Sequence, residues 1–186
     1  MTRRTSTSTI SNPLPRLARR RVFRGRVLSL DVDTVRLPDG GRKDLEIVRH
    51  RGSVVLIPQP GPGRVILVRQ FRYAIGRWIW ELPAGSLEPD EAPARAARRE
   101  CEEEIGLRPG RVERLLTLYP TPGFCDERMV FYRCADLRRP ARPRPGDDDE
   151  ALEPGEFSLA TVHRMVARRQ IVDMKTVAGL WLLKRL

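Results

Sequence analysis

The chain has 186 residues, 40% of them hydrophobic and 32% charged, a length and balance that suit one domain with a core of ordinary size. No apolar run reaches the roughly 18 residues of a membrane-crossing helix and the N-terminus lacks the apolar stretch of a secretory signal, so no membrane partner and a cytoplasmic location are expected. The formal net charge of +11 raises a nucleic-acid reading, but eight arginines and no acidic residue fall in residues 1–26, so most of the excess belongs to the tail.

Residues 1–20, rich in Ser, Thr and Arg, are expected to form a flexible tail whose contact with nucleic acid would be accessory. From Arg21 to Leu37 apolar and polar residues alternate over two short strands. Pro38-Asp39-Gly40-Gly41 is a turn, and Lys43 to Val48 returns as a strand, completing a small antiparallel sheet over residues 21–50. Ser53 to Pro58 is almost continuously apolar, which predicts a strand covered on both faces. A turn at Gln59–Gly63 leads to the strand Val65 to Val68 and then to Arg69-Gln70-Phe71-Arg72-Tyr73. The two arginines are read as pointing the same way, where they could hold a pyrophosphate beside aromatic rings; a solvated edge strand is the alternative. Trp78 to Leu82 is a further strand in which Trp78 and Trp80 serve packing, and Pro83-Ala84-Gly85 breaks it, leaving carbonyls unspent by any ladder.

A helix follows. Asp90 is expected to cap it, Glu91 to sit in its first turn, Pro93 to occupy an early position that needs no N–H donor, and Gly106 to end it in the left-handed conformation. Ala94, Ala97, Cys101 and Ile105 share one stripe, while Glu100, Glu103 and Glu104 cluster on its flank. Carboxylates so close repel one another, and a hard cation with oxygen ligands and a phosphate substrate would compensate them. Pairing with Arg95, Arg98 and Arg99 on a solvated face is the bland alternative.

Strands are expected from Arg111 to Tyr119 and from Glu127 to Ala135, joined by a Pro/Gly turn that contains Pro122 and Phe124. Leu137 to Pro154 is a long polar connection with an acidic run ending at Glu150. Phe157 to Leu159 is a short strand or a helix cap, and helices over Ala160–Arg169 and Asp173–Leu186 pack on the sheet. Three cysteines, Cys101, Cys125 and Cys134, without CxxC spacing, and only His50 and His163, argue against both a disulfide framework and a zinc site.

The run Gly85, Glu91, Arg99-Glu100, Glu102-Glu103-Glu104 and Gly106 resembles the Nudix box at each charged and glycine position; Cys101 departs from the usual residue but lies on the buried stripe, where a small apolar thiol serves. Over roughly residues 21–186 the chain therefore resembles a Nudix hydrolase. The resemblance implies an α/β/α sandwich with a mixed sheet, residues 51–186 forming the catalytic domain behind a small antiparallel N-terminal sheet that joins two subunits in a homodimer. The strings VRQFRY and E-x-PAG, and Pro122 at 16 residues past Gly106, are similar to the ADP-ribose pyrophosphatase subgroup. That similarity implies hydrolysis of ADP-ribose or a related nucleoside diphosphate sugar to AMP and ribose 5-phosphate, with Mg²⁺, or Mn²⁺ in its place. The Ala84 carbonyl, Glu100 and Glu104 are the implied ligands, with Glu103 assisting. Arg99 is implied to hold Glu91, and Glu81 to orient substrate or an arginine. Arg69, Arg72, Pro122 and Phe124 are implied to meet the substrate. Glu150 is the best match for the carboxylate that activates water, with Glu153 and Asp147–Asp149 as rivals. Two alternatives stand: a Nudix hydrolase of GDP-mannose, UDP-glucose or an oxidised nucleoside triphosphate, and an RNA-binding protein of the same fold. Box acids placed for a metal disfavour the second, because gripping phosphate needs only Arg and Lys.

Overall fold

The computed structural model describes residues 13–142 and 152–183. Two compact units divide the chain, one formed by Met1–His50 with Gly123–Asp126, the other by Arg51–Pro122 with Glu127–Leu186.

The first unit is an antiparallel meander of β1 (Arg16–Arg24), β2 (Leu28–Arg36) and β3 (Arg42–His50). Gly40, at φ 86°, makes the expected turn between β2 and β3, and its N–H donates to the Leu37 carbonyl at 3.0 Å. The two-residue period of β2 puts Asp31 and Asp33 on one face, and the register of β1 sets Arg21 and Arg19 directly across from them. Asp31, fully buried, accepts Arg21 Nε at 2.7 Å and Arg49 Nε at 3.2 Å. Asp33 accepts Arg19 Nε at 2.8 Å and is paired with Arg49 as well. These bonds correct the expected tail boundary. Arg16 to Arg20 are strand residues, because the arginines of this segment are the cations that neutralise two buried aspartates; residues 1–12 lie outside the described residues. Gly123–Asp126 joins the same unit through Val48 N–H to Phe124 O at 2.7 Å and His50 N–H to Asp126 Oδ1 at 2.8 Å.

The second unit is built on β4 (Ser53–Pro58), every residue of which is buried. It lies in a four-stranded mixed sheet ordered β7 (Ala84–Ser86), β4, β9 (Met129–Arg138) and β8 (Arg108–Leu118), with β4 and β9 parallel. A three-stranded antiparallel sheet holds β10 (Glu153–Ser158), β5 (Arg64–Arg72) and β6 (Arg77–Glu81). Alternation along β4 and β5 divides the core. Val54, Leu56, Ile66 and Val68 pack with Ala96, Ala97, Cys101 and Ile105 of α1 (Pro93–Ile105). On the opposite face Val55, Ile57, Val65 and Leu67 pack with Val162 and Met165 of α2 (Leu159–Ala167) and Leu180 and Leu183 of α3 (Met174–Leu183). Helices on both sides of strand layers that include a mixed sheet make the expected α/β/α sandwich. No helix among the described residues is long and apolar enough to cross a membrane.

Three local expectations change. Asp90 does not cap α1: it takes φ 57°, the N-cap is Ala92, and Glu91 precedes the helix because its carboxylate is drawn to Arg99. Ala94 is exposed and Ala96 takes its place on the buried stripe. Ala84–Gly85 is not irregular backbone but part of β7, paired with Val55 and Val54. The end of α1 follows expectation, with Gly106 at φ 69° and its N–H on Glu102 O at 3.1 Å.

Bonds from Arg21 and Arg19 hold the Asp31 and Asp33 carboxyls below the ordinary aspartate value against the opposing effect of burial. Stability from groups lowered in the folded state is present above the unfolded value of about 4 and is lost as pH falls through the folded ones. Thermal melts between about pH 5 and pH 2 should therefore fall more steeply for the wild type than for the Asp31→Asn/Asp33→Asn variant. Equal slopes would show that the two carboxylates gain nothing from their arginines.

Candidate active site

The site is assembled where α1 faces β7, and one side chain organises it. Arg99, only 15% exposed along its side chain, donates Nε and Nη2 to the two oxygens of Glu91 at 3.1 and 3.0 Å. Its Nη1 lies 2.8 Å from both Glu100 Oε1 and Glu103 Oε2, and Nη2 also reaches Ser86 O at 3.2 Å. The i,i+4 spacing of Arg99 and Glu103 on a helix makes the second contact, and the turn from β7 into α1 delivers Glu91. Bonding to Arg99 lowers the Glu91 carboxyl below its usual range, and Glu91 in turn raises the guanidinium further.

The remaining acids complete the corner. Glu104 accepts the Ala84 N–H at 3.2 Å, so the helix grips the backbone whose carbonyl is the implied ligand. Glu100 is 8% exposed and lies against Gly85, where any Cβ would fall inside its carboxylate; only glycine permits this approach. Glu102 turns away and forms a two-point pair with Arg108 at 2.7 and 3.1 Å. The Cys101 thiol, a free cysteine hydrogen-bonded to the Cys134 thiol and buried, has its pKa raised, as suits a packing residue.

The donors of this corner are all oxygens, three carboxylates and a main-chain segment, which fits a hard divalent cation. The glycine-sized space over which Glu100 lies supports that fit. Among the described residues no three acidic, His or Cys side chains converge as a ligand cluster; Glu100 and Glu103 instead both bind Arg99 Nη1.

The other expected residues fall elsewhere. Arg69 and Arg72 do not point the same way. Their odd separation puts them on opposite faces of β5, where Arg69 lies 5.2 Å over the Trp78 ring and pairs with Glu153 at 3.2 Å. Arg72 forms a two-point pair with Glu81, both contacts at 2.7 Å. Trp80 packs edge-on against Phe157 at 4.9 Å, as expected of a packing residue, while Trp78 is 41% exposed. Pro122 and Phe124 are exposed and fall in different units. Glu150 and Asp147–Asp149 lie outside the described residues. Sequence reasoning missed a group around Glu81: the buried carboxylate also meets Lys175, which with Asp173 and Thr176 lies at the start of α3. The signal was present in the string Asp173-Met-Lys-Thr176, read as helix packing alone.

Removing Arg99 would strand Glu91, whose side chain is 2% exposed, beside two further acids. Arg99→Met should lose about 3–5 kcal/mol of stability in urea unfolding, the range for breaking a buried pair from one side. A loss under about 1 kcal/mol would mean that solvent satisfies these carboxylates.

The model of the NUDIX domain matches residues 48–174. Over 160 residues the chain is 36% identical to an ADP-ribose pyrophosphatase of Bacillus subtilis (strain 168), covering 86% of each protein. It is also 36% identical over 156 residues to a methanol dehydrogenase activator of Bacillus methanolicus, covering 84% of each. A solved structure of an ADP compounds hydrolase superposes with a TM-score of 0.82 over 96% of both chains at 21% identity, a likeness of fold. The matched domain contains β7, all of α1 and the corner between them, and with this identity along most of its length the chain belongs to the Nudix domain family.

Proposed function

We propose that this protein hydrolyses the pyrophosphate bond of ADP-ribose, or of a closely related nucleoside diphosphate sugar, to AMP and ribose 5-phosphate. The observation that carries the reading is the placing of Glu100 and Glu104 against the Ala84–Gly85 backbone, with Glu103 joined to Glu100 through Arg99, in a chain 36% identical to an ADP-ribose pyrophosphatase. Mg²⁺, or Mn²⁺ in its place, would be held by the Ala84 carbonyl, Glu100 and Glu104 with Glu103 beside them; it would supply Lewis acidity to the phosphoryl oxygens and lower the pKa of water.

The chain's own groups do the rest. Arg99 keeps the acids in one corner and ties them through Glu91 and Ser86 to the loop that precedes α1. Arg72, set by Glu81, is assigned to the phosphates, with Pro122 beside the substrate. Water attacks one phosphorus in line, the bond to the bridging oxygen breaks, and Glu150 takes the proton from the water. Glu153 is the weaker candidate for that step because it is paired with Arg69.

A cytoplasmic homodimer is part of the same reading. The first unit supports it by leaving Val22, Phe23 and Val27 about half exposed, at 49%, 55% and 51%. Light scattering at twice the mass of one chain would agree with the dimer, and the mass of a single chain would refute it.

Product analysis in Mg²⁺ tests the activity itself, with ADP-ribose set against GDP-mannose, UDP-glucose and 8-oxo-dGTP. Release of AMP and ribose 5-phosphate is expected to dominate. Glu104→Gln should lower turnover by about 100-fold or more, because even outer partners of a metal contribute 10–100-fold, while folding survives since a repulsion is relieved. Full turnover by the variant would overturn the site, and preference for another substrate would overturn the substrate class.

A further inference from the structure

Glu81 is 1% exposed, yet it carries a charge that burial alone would suppress. Burial raises its pKa, and bonds and charge from Arg72 and Lys175 outweigh that effect and leave it lowered. Lys175 is itself deeply placed, 9% exposed along its side chain. Its Nζ meets Glu81 and lies 3.2 Å from Asp173 Oδ2. Asp173 is compensated from another source: it stands just before α3 and accepts the Thr176 N–H at 2.9 Å, where the helix N-terminus favours a negative charge. Thr176, fully buried, accepts the Leu82 N–H at 2.7 Å and so fixes α3 to the end of β6. Lys175 thus joins Glu81 to the start of α3.

This link has a consequence for Arg72. Arg72 and Lys175 both bind Glu81, so the carboxylate that holds the Arg72 guanidinium by two contacts at the outer end of β5 is itself fixed from α3. We propose that Lys175 is a positioning residue of the active site: by binding Glu81 from α3 it fixes the carboxylate that holds Arg72 in place toward the pyrophosphate of the substrate. The inference rests on the hydrolase reading above.

The test measures kcat and KM for ADP-ribose in Mg²⁺, and in parallel the calorimetric affinity for inorganic pyrophosphate without metal. Lys175→Met should raise KM on the order of 10-fold and weaken pyrophosphate binding to a similar extent, while kcat stays within about 3-fold. Lys175→Arg should restore both. In a background of Arg72→Ala, adding Lys175→Met should have little further effect, because one acts through the other. If Lys175→Met does not fold, the Glu81→Gln/Lys175→Met variant, which removes both charges together, should show the same rise in KM. A lower kcat at unchanged KM would mean only loss of folded protein and would overturn the proposal, as would a penalty additive with Arg72→Ala or unchanged pyrophosphate affinity. Wild-type protein that turns over no ADP-ribose would sink the hydrolase reading, and the pyrophosphate titration would still decide the role of Lys175.

Discussion

The second unit depends on a single guanidinium answering several carboxylates. Glu91, Glu100 and Glu103 stand close enough to share Arg99, and without a cation their mutual repulsion would drive apart the helix and the loop before it. Arginine suits this position because its planar fork supplies five donors at fixed angles, enough to bond two oxygens of one acid and still reach two others and a carbonyl. A lysine is a point charge and could neutralise without orienting. In the Nudix reading Arg99 gathers acids that a metal would otherwise have to organise alone.

What lies beneath that corner is a question of packing. β4 is buried along its whole length, so its alternate residues serve two cores, one under α1 and one under α2 and α3. The same layer that seats α1 therefore also seats α3, and Leu82, between β6 and β7, belongs to the second core. Glu100 over Gly85 and the Ala84 N–H on Glu104 are short-range contacts that need a rigid floor, since a site displaced by about 1 Å loses much of its chemistry. Close packing on both faces supplies that floor.

Charge is handled in the same way in the two units. In the first, Asp31 and Asp33 are buried and met by Arg19, Arg21 and Arg49; in the second, Glu81 is buried and met by Arg72 and Lys175. Each case joins a carboxylate to cations from two different elements, so the pair records the tertiary arrangement as much as it stabilises it. An arginine-rich composition that read as a tail or a solvated face is, at these positions, the counterpart of buried acids.

The elements and the box were legible in the order of the residues. Alternation located the strands, Gly40 and Gly106 sat where positive φ was needed, and the spacing of Gly85, Glu91, Arg99, Glu100, Glu103 and Glu104 identified the corner before any coordinate did. These features are local: period, turn chemistry and helix spacing act over a few residues, so they are written in the order of the chain. It took packing in three dimensions to pair Ala84–Ser86 as a strand, to give the cap to Ala92 in place of Asp90, to part Arg69 and Arg72 to opposite faces, and to bring Lys175 to Glu81 from 94 residues away. Each of those outcomes turns on which distant group a side chain or backbone amide finds. A buried charge takes the nearest compensating partner in space, and nearness in space is a property of packing that no short stretch of sequence contains.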